Sequence, residues 1–184
     1  MRFYYLALIS VLFISGCGSS KPKEQESNHT THTLQKPKIL QKQSNDAVLK
    51  FDTNASIEIS PKAIKTNNIC QNKQTIIINI FAPWYKLSIS QLQTLDKLKQ
   101  DDLCIISIAI DSDSNTSLPN RYKISHKVIF GLQNNKFVDK ITKIINIDKN
   151  FKLPMSIIYK NNTYIDNYQG LMPIEMLNYI IKDQ

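Results

Sequence analysis

Cysteine is the residue through which this sequence could do the most chemistry, and it has three: Cys17, Cys70 and Cys104. A thiolate attacks disulfides, binds soft metals and accepts lipid, and what it does depends on its acidity and its access. Ser88 and His126 are nucleophile and base by type. No GxSxG elbow surrounds the serine and no acidic orienter is recognisable, so hydrolase chemistry is not indicated. Asp111 and Asp113, with Ser112 and Ser114, have calcium-ligand oxygens, but the glycine and distal glutamate of a calcium loop are missing. That leaves a polar loop at a strand end. His29 and His32, in HTTH, are spaced to share a metal on an ordered helix. The polar stretch around them would have to be ordered first, so no metal is expected, and no cofactor either.

Cys17 stands apart because of what precedes it. Arg2 supplies a minimal positive start, and Phe3 to Ile14 form an apolar stretch of about a dozen residues, the length of a signal-peptide core. A bilayer span needs ~20. Ile14-Ser15-Gly16-Cys17 resembles the lipobox of bacterial lipoproteins. That resemblance implies a diacylglyceryl group on the Cys17 sulfur, cleavage before it and acylation (palmitate among the chains) of the new amino terminus. More than one chain is needed for a stable anchor. The chain then divides into a signal peptide (1–16), a lipidated cysteine with a flexible tether (17–46) and one folded domain (47–184). The tether is polar, low in aromatics and punctuated by Pro22 and Pro37. The expected location is the cell envelope, lipid-anchored to a membrane and facing the periplasm.

The 184 residues carry a formal net charge of +8. Lys, Asn and Ile are heavily used throughout and no lysine cluster is interleaved with aromatics, so compositional bias accounts for the charge and no nucleic-acid partner is expected.

The elements that must position any site begin at Ala47. Ala47 to Phe51 and Ser56 to Ile59 alternate as a short hairpin. Thr75 to Phe81 (TIIINIF) and Leu103 to Ile110 (LCIISIAI) are continuous apolar runs, as expected of strands buried on both faces. Between them Ile89, Leu92, Leu95 and Leu98 predict a helix over 88–99 with Ser88 as N-cap. Strand, helix and strand make a βαβ unit with parallel strands. Val128 to Leu132 reads as a strand, and Phe137, Ile141, Ile144 and Ile145 as a helix face. Met155 to Tyr159 and Tyr164 to Tyr168 flank KNNT, whose asparagines tolerate the left-handed turn of a hairpin. After Gly170, Pro173 opens a terminal helix with Ile174, Leu177, Ile180 and Ile181 on its buried stripe.

This order resembles the thioredoxin fold. NIFAPW (Asn79 to Trp84) looks like the strand end that leads into the redox helix of TlpA/ResA-type membrane-anchored thiol-disulfide oxidoreductases. Leu153-Pro154-Met155-Ser156 resembles their cis-proline loop, and Gly170 with the following helix their C-terminal element. The resemblance implies an α/β fold, a thioredoxin-like three-layer sandwich with a mixed central sheet. It departs at the chemistry. Where the family has Trp-Cys-x-x-Cys, this chain reads Trp84-Tyr85-Lys86-Leu87-Ser88. Disulfide exchange needs a thiolate, stabilised by a helix N-terminus, and a second thiol to resolve the mixed disulfide. A phenol and a hydroxyl supply neither, so no catalytic residue is assigned. A copper-carrying variant would need CxxxC and is excluded on the same ground.

What remains is an apolar, aromatic groove of Trp84, Tyr85, Lys86, Leu87, Ser88, Pro154 and Met155. In this fold the loop before the cis-proline pairs with extended peptides. Cys70 and Cys104 lie at or before the amino ends of their strands, ~20 Å from the active edge at strand rise. Two states stay open for them: a structural disulfide, or two buried thiols. The reading that emerges is a redox-inactive protein-binding or accessory module in envelope thiol or cytochrome maturation, touching the membrane through Cys17 and an envelope protein through the groove. The alternatives are a thiol-disulfide oxidoreductase with an unusual cysteine arrangement, and a divergent remnant with a structural role only.

Overall fold

The computed structural model describes residues 45–112, 117–148 and 150–182. The signal segment, Cys17, His29, His32 and the tether up to residue 44 lie outside the described residues, as does Asp113 to Asn115.

Along the chain run β1 (Ala47–Lys50), β2 (Ser56–Ile59), β3 (Ile64–Asn67), β4 (Thr75–Phe81), α1 (Lys86–Asp96) and β5 (Leu103–Ala109). Then follow α2 (Ser117–Tyr122), β6 (Lys127–Ile129), α3 (Gln133–Ile144), β7 (Met155–Lys160), β8 (Thr163–Gln169) and α4 (Ile174–Lys182). The first three strands form an antiparallel meander. The other five form one sheet in the order β6-β5-β4-β7-β8.

The apolar runs become the centre of that sheet because only there are both faces of a strand covered. All seven residues of β4 are buried. It pairs in parallel with β5 from Thr75↔Leu103 to Phe81↔Ala109, and antiparallel with β7 from Thr75↔Lys160 to Ile80↔Met155. Successive side chains alternate between faces. Ile76, Ile78 and Ile80 pack with Phe137, Val138 and Ile141 of α3 and with Leu49, Ile57, Ile59 and Ile64 of the meander. Ile77 meets Leu95, Leu98, Leu177 and Ile181, while Phe81 meets Ile89, Leu92 and Leu118. The sheet is thus the middle of three layers, with α3 and the meander on one face and α1, α2 and α4 on the other. Each enclosed isoleucine or leucine contributes about 1.5–3 kcal/mol of burial.

The β7–β8 turn is made by Asn161 (φ 49°) and Asn162 (φ 63°), the two left-handed residues of a type I′ turn. This turn also holds the meander. Ile64 N–H donates to Asn162 O at 2.9 Å and Tyr164 N–H to Lys62 O at 3.0 Å.

Four elements differ from expectation. The helix expected over 88–99 starts at Lys86 and stops at Asp96. β3 carries a single buried residue, Ile64, and α2 is six residues long with Pro119 inside it. Neither has enough apolar periodicity to register. β6 covers 127–129 only, because Gly131 (φ 138°) turns the chain into α3.

Candidate functional site

The β4–β7 register sets the site. With Ile80 opposite Met155, the loop bearing the cis Leu153–Pro154 bond stands at the same sheet edge as Ala82 to Tyr85, where β4 gives way to α1. Trp84, Tyr85 and Leu87 project to solvent there, Trp84 being 64% exposed. Tyr85 is the N-cap residue in extended conformation (φ −94°, ψ 118°), and no side chain caps the helix. Lys86 is its first residue, also exposed.

Ser88 is therefore not the N-cap. It lies inside the first turn, wholly buried, and its Oγ accepts the Ala82 N–H at 3.2 Å. The hydroxyl fastens the 82–85 loop to the helix. Met155 is also fully enclosed, within the cluster of Ile78, Ile80 and Tyr159, because β7 is covered on both faces. Pro154 is buried. The solvent-facing part of the groove is thus Trp84, Tyr85, Lys86 and Leu87, with Ser88, Pro154 and Met155 as its support. Behind them, Gly170 N–H donates to Pro154 O at 2.7 Å and Met172 N–H to Gln91 Oε1 at 2.8 Å, tying the approach to α4 to both the proline loop and α1. Gly170 has φ +92°, a conformation that disfavours any side chain.

His126 is not near Ser88's chemistry but belongs to a polar chain that sequence spacing could not suggest. Asn79 Nδ2 donates to Ser107 Oγ (3.2 Å), Ser107 Oγ lies 2.8 Å from His126 Nε2, and His126 Nδ1 lies 3.2 Å from Asp96 Oδ1. The order is that of a Ser-His-Asp triad. Ser107 is completely enclosed, however, in the middle of β5, so no substrate reaches it. Asp96 Oδ1 also accepts Ser125 N–H (2.7 Å) and Ser125 Oγ–H (2.8 Å), which makes the cluster a brace between the end of α1 and the entry to β6. Burial holds the His126 imidazole below its usual value, with Lys99 acting the same way and Asp96 opposing. Burial raises the Asp96 carboxyl, but the hydrogen bonds from Ser125 and His126 outweigh it and leave it below the ordinary carboxylate value.

Cys70 and Cys104 are joined in a disulfide with a Cα–Cα distance of 5.4 Å. Cys104 pairs with Ile76 near the beginning of β5, so the bond sits at the end of the sheet opposite α1's start. Among the described residues no three His, Cys, Asp or Glu side chains gather as a metal site. No helix among them is long and apolar enough to cross a membrane.

No family model matches this sequence, and no curated protein does. Solved structures do. A thiol:disulfide interchange protein of the thioredoxin family from Chlorobium tepidum TLS is 13% identical, over 70% of this chain and 92% of its own, with a TM-score of 0.54. A DsbF homologue from Corynebacterium diphtheriae is 10% identical, over 73% and 91%, with a TM-score of 0.50. StoA from Bacillus subtilis is 17% identical, over 74% and 97%, with a TM-score of 0.48. The chain has a thioredoxin-like fold.

Proposed function

We propose that this protein is a lipid-anchored, extracytoplasmic thioredoxin-like module that holds an extended segment of another envelope protein at Trp84, Tyr85, Leu87 and the cis-Pro154 loop, and exchanges no disulfide there. One observation carries the reading. At the start of α1, where the fold's thiol enzymes need a nucleophile, the chain has Tyr85 and a Ser88 already committed to the Ala82 N–H. The apolar surface around it is nonetheless kept open: Tyr85 and Leu87 are 41% and 39% exposed beside Trp84. Contiguous exposed apolar surface of this kind is characteristic of interaction sites. Cys17, in its lipobox context, supplies the anchor, and thiol or cytochrome maturation in the envelope is the setting in which related domains work.

The experiment is affinity capture from envelope membranes with the full chain and with a Trp84→Ala/Leu87→Asp variant, alongside an insulin-reduction assay. Capture of a defined partner by the parent chain, its loss in the variant and no insulin turnover support the reading. Equal capture by both chains overturns it.

One observation favours a second reading, disulfide exchange through Cys70–Cys104. The bond exists and both cysteines are half-buried rather than sealed. Insulin turnover that disappears in Cys70→Ser would establish it.

A further inference from the structure

Beside the residue that precedes the cis-proline lies a cavity of about 360 Å³, lined by Ile110, Asp111, Asn135, Val138, Asp139, Phe151 and Leu153. Three parts of the chain make it. Ile110 and Asp111 leave the carboxyl end of β5, the edge at which open α/β sheets receive ligands. Asn135, Val138 and Asp139 are spaced i, i+3 and i+4 on α3, hence on one helix face. Phe151 and Leu153 come from the loop that leads to Pro154.

The lining is mixed, with Ile110, Val138, Phe151 and Leu153 apolar and Asp111, Asn135 and Asp139 polar, and the acidic groups stand at exposed positions. Asp111 and Asp139 face solvent, whereas Val138 is buried and Ile110, Phe151 and Leu153 are half-buried. Asp111 is held in a left-handed conformation (φ 50°) by Asn135, whose Oδ1 accepts the Asp111 N–H at 2.8 Å and whose Nδ2 donates to Asp111 Oδ1. This chain has net charge +8, yet among the described residues neither carboxylate is paired with a lysine or arginine. The described ion pair is His126 with Asp96, on the other face of the sheet. Four apolar side chains beside two carboxylates that no described lysine or arginine pairs fit one common kind of side chain, a long aliphatic stem ending in a cation, which lays its methylenes on apolar surface and keeps its head at the rim.

We infer that this cavity is the specificity pocket of the groove and accepts a lysine or arginine side chain of the bound peptide. The inference rests on the reading of the groove as a peptide site. Leu153, in the pocket's wall, is joined by the cis bond to Pro154 of the groove, so a strand lying against that loop sends one side chain toward Ile110 and Val138. Arginine can meet Asp139 or Asp111 with two parallel hydrogen bonds, and lysine as a point charge.

The test uses the full chain purified in detergent and an arrayed library of fluorescein-labelled, cysteine-free octapeptides, read by fluorescence anisotropy. Binders should share one Lys or Arg position. Replacing that residue by norleucine, which keeps the stem and removes the charge, should weaken binding about fivefold at low salt. The gap should close at high ionic strength and in Asp111→Asn/Asp139→Asn, whose exposed positions spare the fold. Peptides that bind with no preference between lysine and norleucine overturn the pocket assignment and leave the groove standing. A library with no binders overturns both.

Discussion

Ser107 Oγ lies 2.8 Å from His126 Nε2, and the serine has no surface in contact with water. A hydroxyl and an imidazole in that relation can do acyl chemistry only where a carbonyl can approach; here they join β5 to the entry of β6. Ser107→Ala leaves the His126 ring nitrogen and the Asn79 amide without their shared partner, at a cost of about 2 kcal/mol. Urea unfolding should record that loss, and a fluorophosphonate probe should label neither chain.

The same brace sets a pH dependence. Because His126 is held below 6.5 in the folded state, the unfolded chain takes up its proton first as the pH falls. The stability present above that value is lost on the way down to the lower folded one. Asp96 acts in the same sense further down, below 3.8. The urea midpoint should therefore drop as the pH falls through 6.5, and His126→Gln should flatten that part of the curve. An unchanged slope in the variant would assign the dependence elsewhere.

The disulfide closes a loop of 34 residues, for which chain entropy gives about 3.8 kcal/mol of stabilisation. Cys70 also has φ 55°, between Asn68 (φ 55°) and Asn72 (φ 60°). A left-handed non-glycine residue costs about 1 kcal/mol or more. With Cys104→Ser in common, Cys70→Gly should therefore be more stable than Cys70→Ala by about 1 kcal/mol. Thermal melts of the two double variants decide it, and the reverse order would sink the conformational account.

Thiol chemistry should be recoverable where it is missing. Tyr85→Cys/Ser88→Cys restores a Cys-x-x-Cys pair at an uncapped helix N-terminus, with Lys86 between the thiols to favour a thiolate. Insulin reduction should rise clearly above the parent chain. The Ser88 substitution also gives up the bond to Ala82 N–H, so stability should fall by about 1 kcal/mol. No gain in a folded variant would mean that more than the two thiols separates this groove from exchange chemistry.

Asn134 marks a further point of dependence. Enclosed at the start of α3, its Nδ2 donates to Ala109 O (2.8 Å) and Ile129 O (3.0 Å), closing the carboxyl ends of β5 and β6 together. Asn134→Leu strands two buried carbonyls and should cost about 2–3 kcal/mol by urea titration.

The central strands were legible because TIIINIF and LCIISIAI have only one favourable environment, and the hairpin because Asn161 and Asn162 are at home in left-handed backbone. Pro154 was legible through its neighbours. Ser88 misled because a serine before an apolar stripe is the usual start of a helix, yet its hydroxyl found the Ala82 N–H instead and the helix began at a tyrosine. Met155 belongs by sequence to the apolar groove, but a strand covered on both faces leaves its side chain no outward side. His126 and Asp96 meet across thirty residues of chain, a distance at which no local pattern operates. The cavity beside Leu153 escaped notice for the same reason, since its walls come from three separated stretches.

The Cys70–Cys104 bond and the start of α1 stand at opposite ends of the same parallel strands. A reductant that opens the bond acts on the connection between the meander and β4 and leaves the composition of the exposed groove untouched. Ambient thiols therefore alter how firmly the base is laced, and the four solvent-facing residues of the groove, Trp84, Tyr85, Lys86 and Leu87, include no thiol.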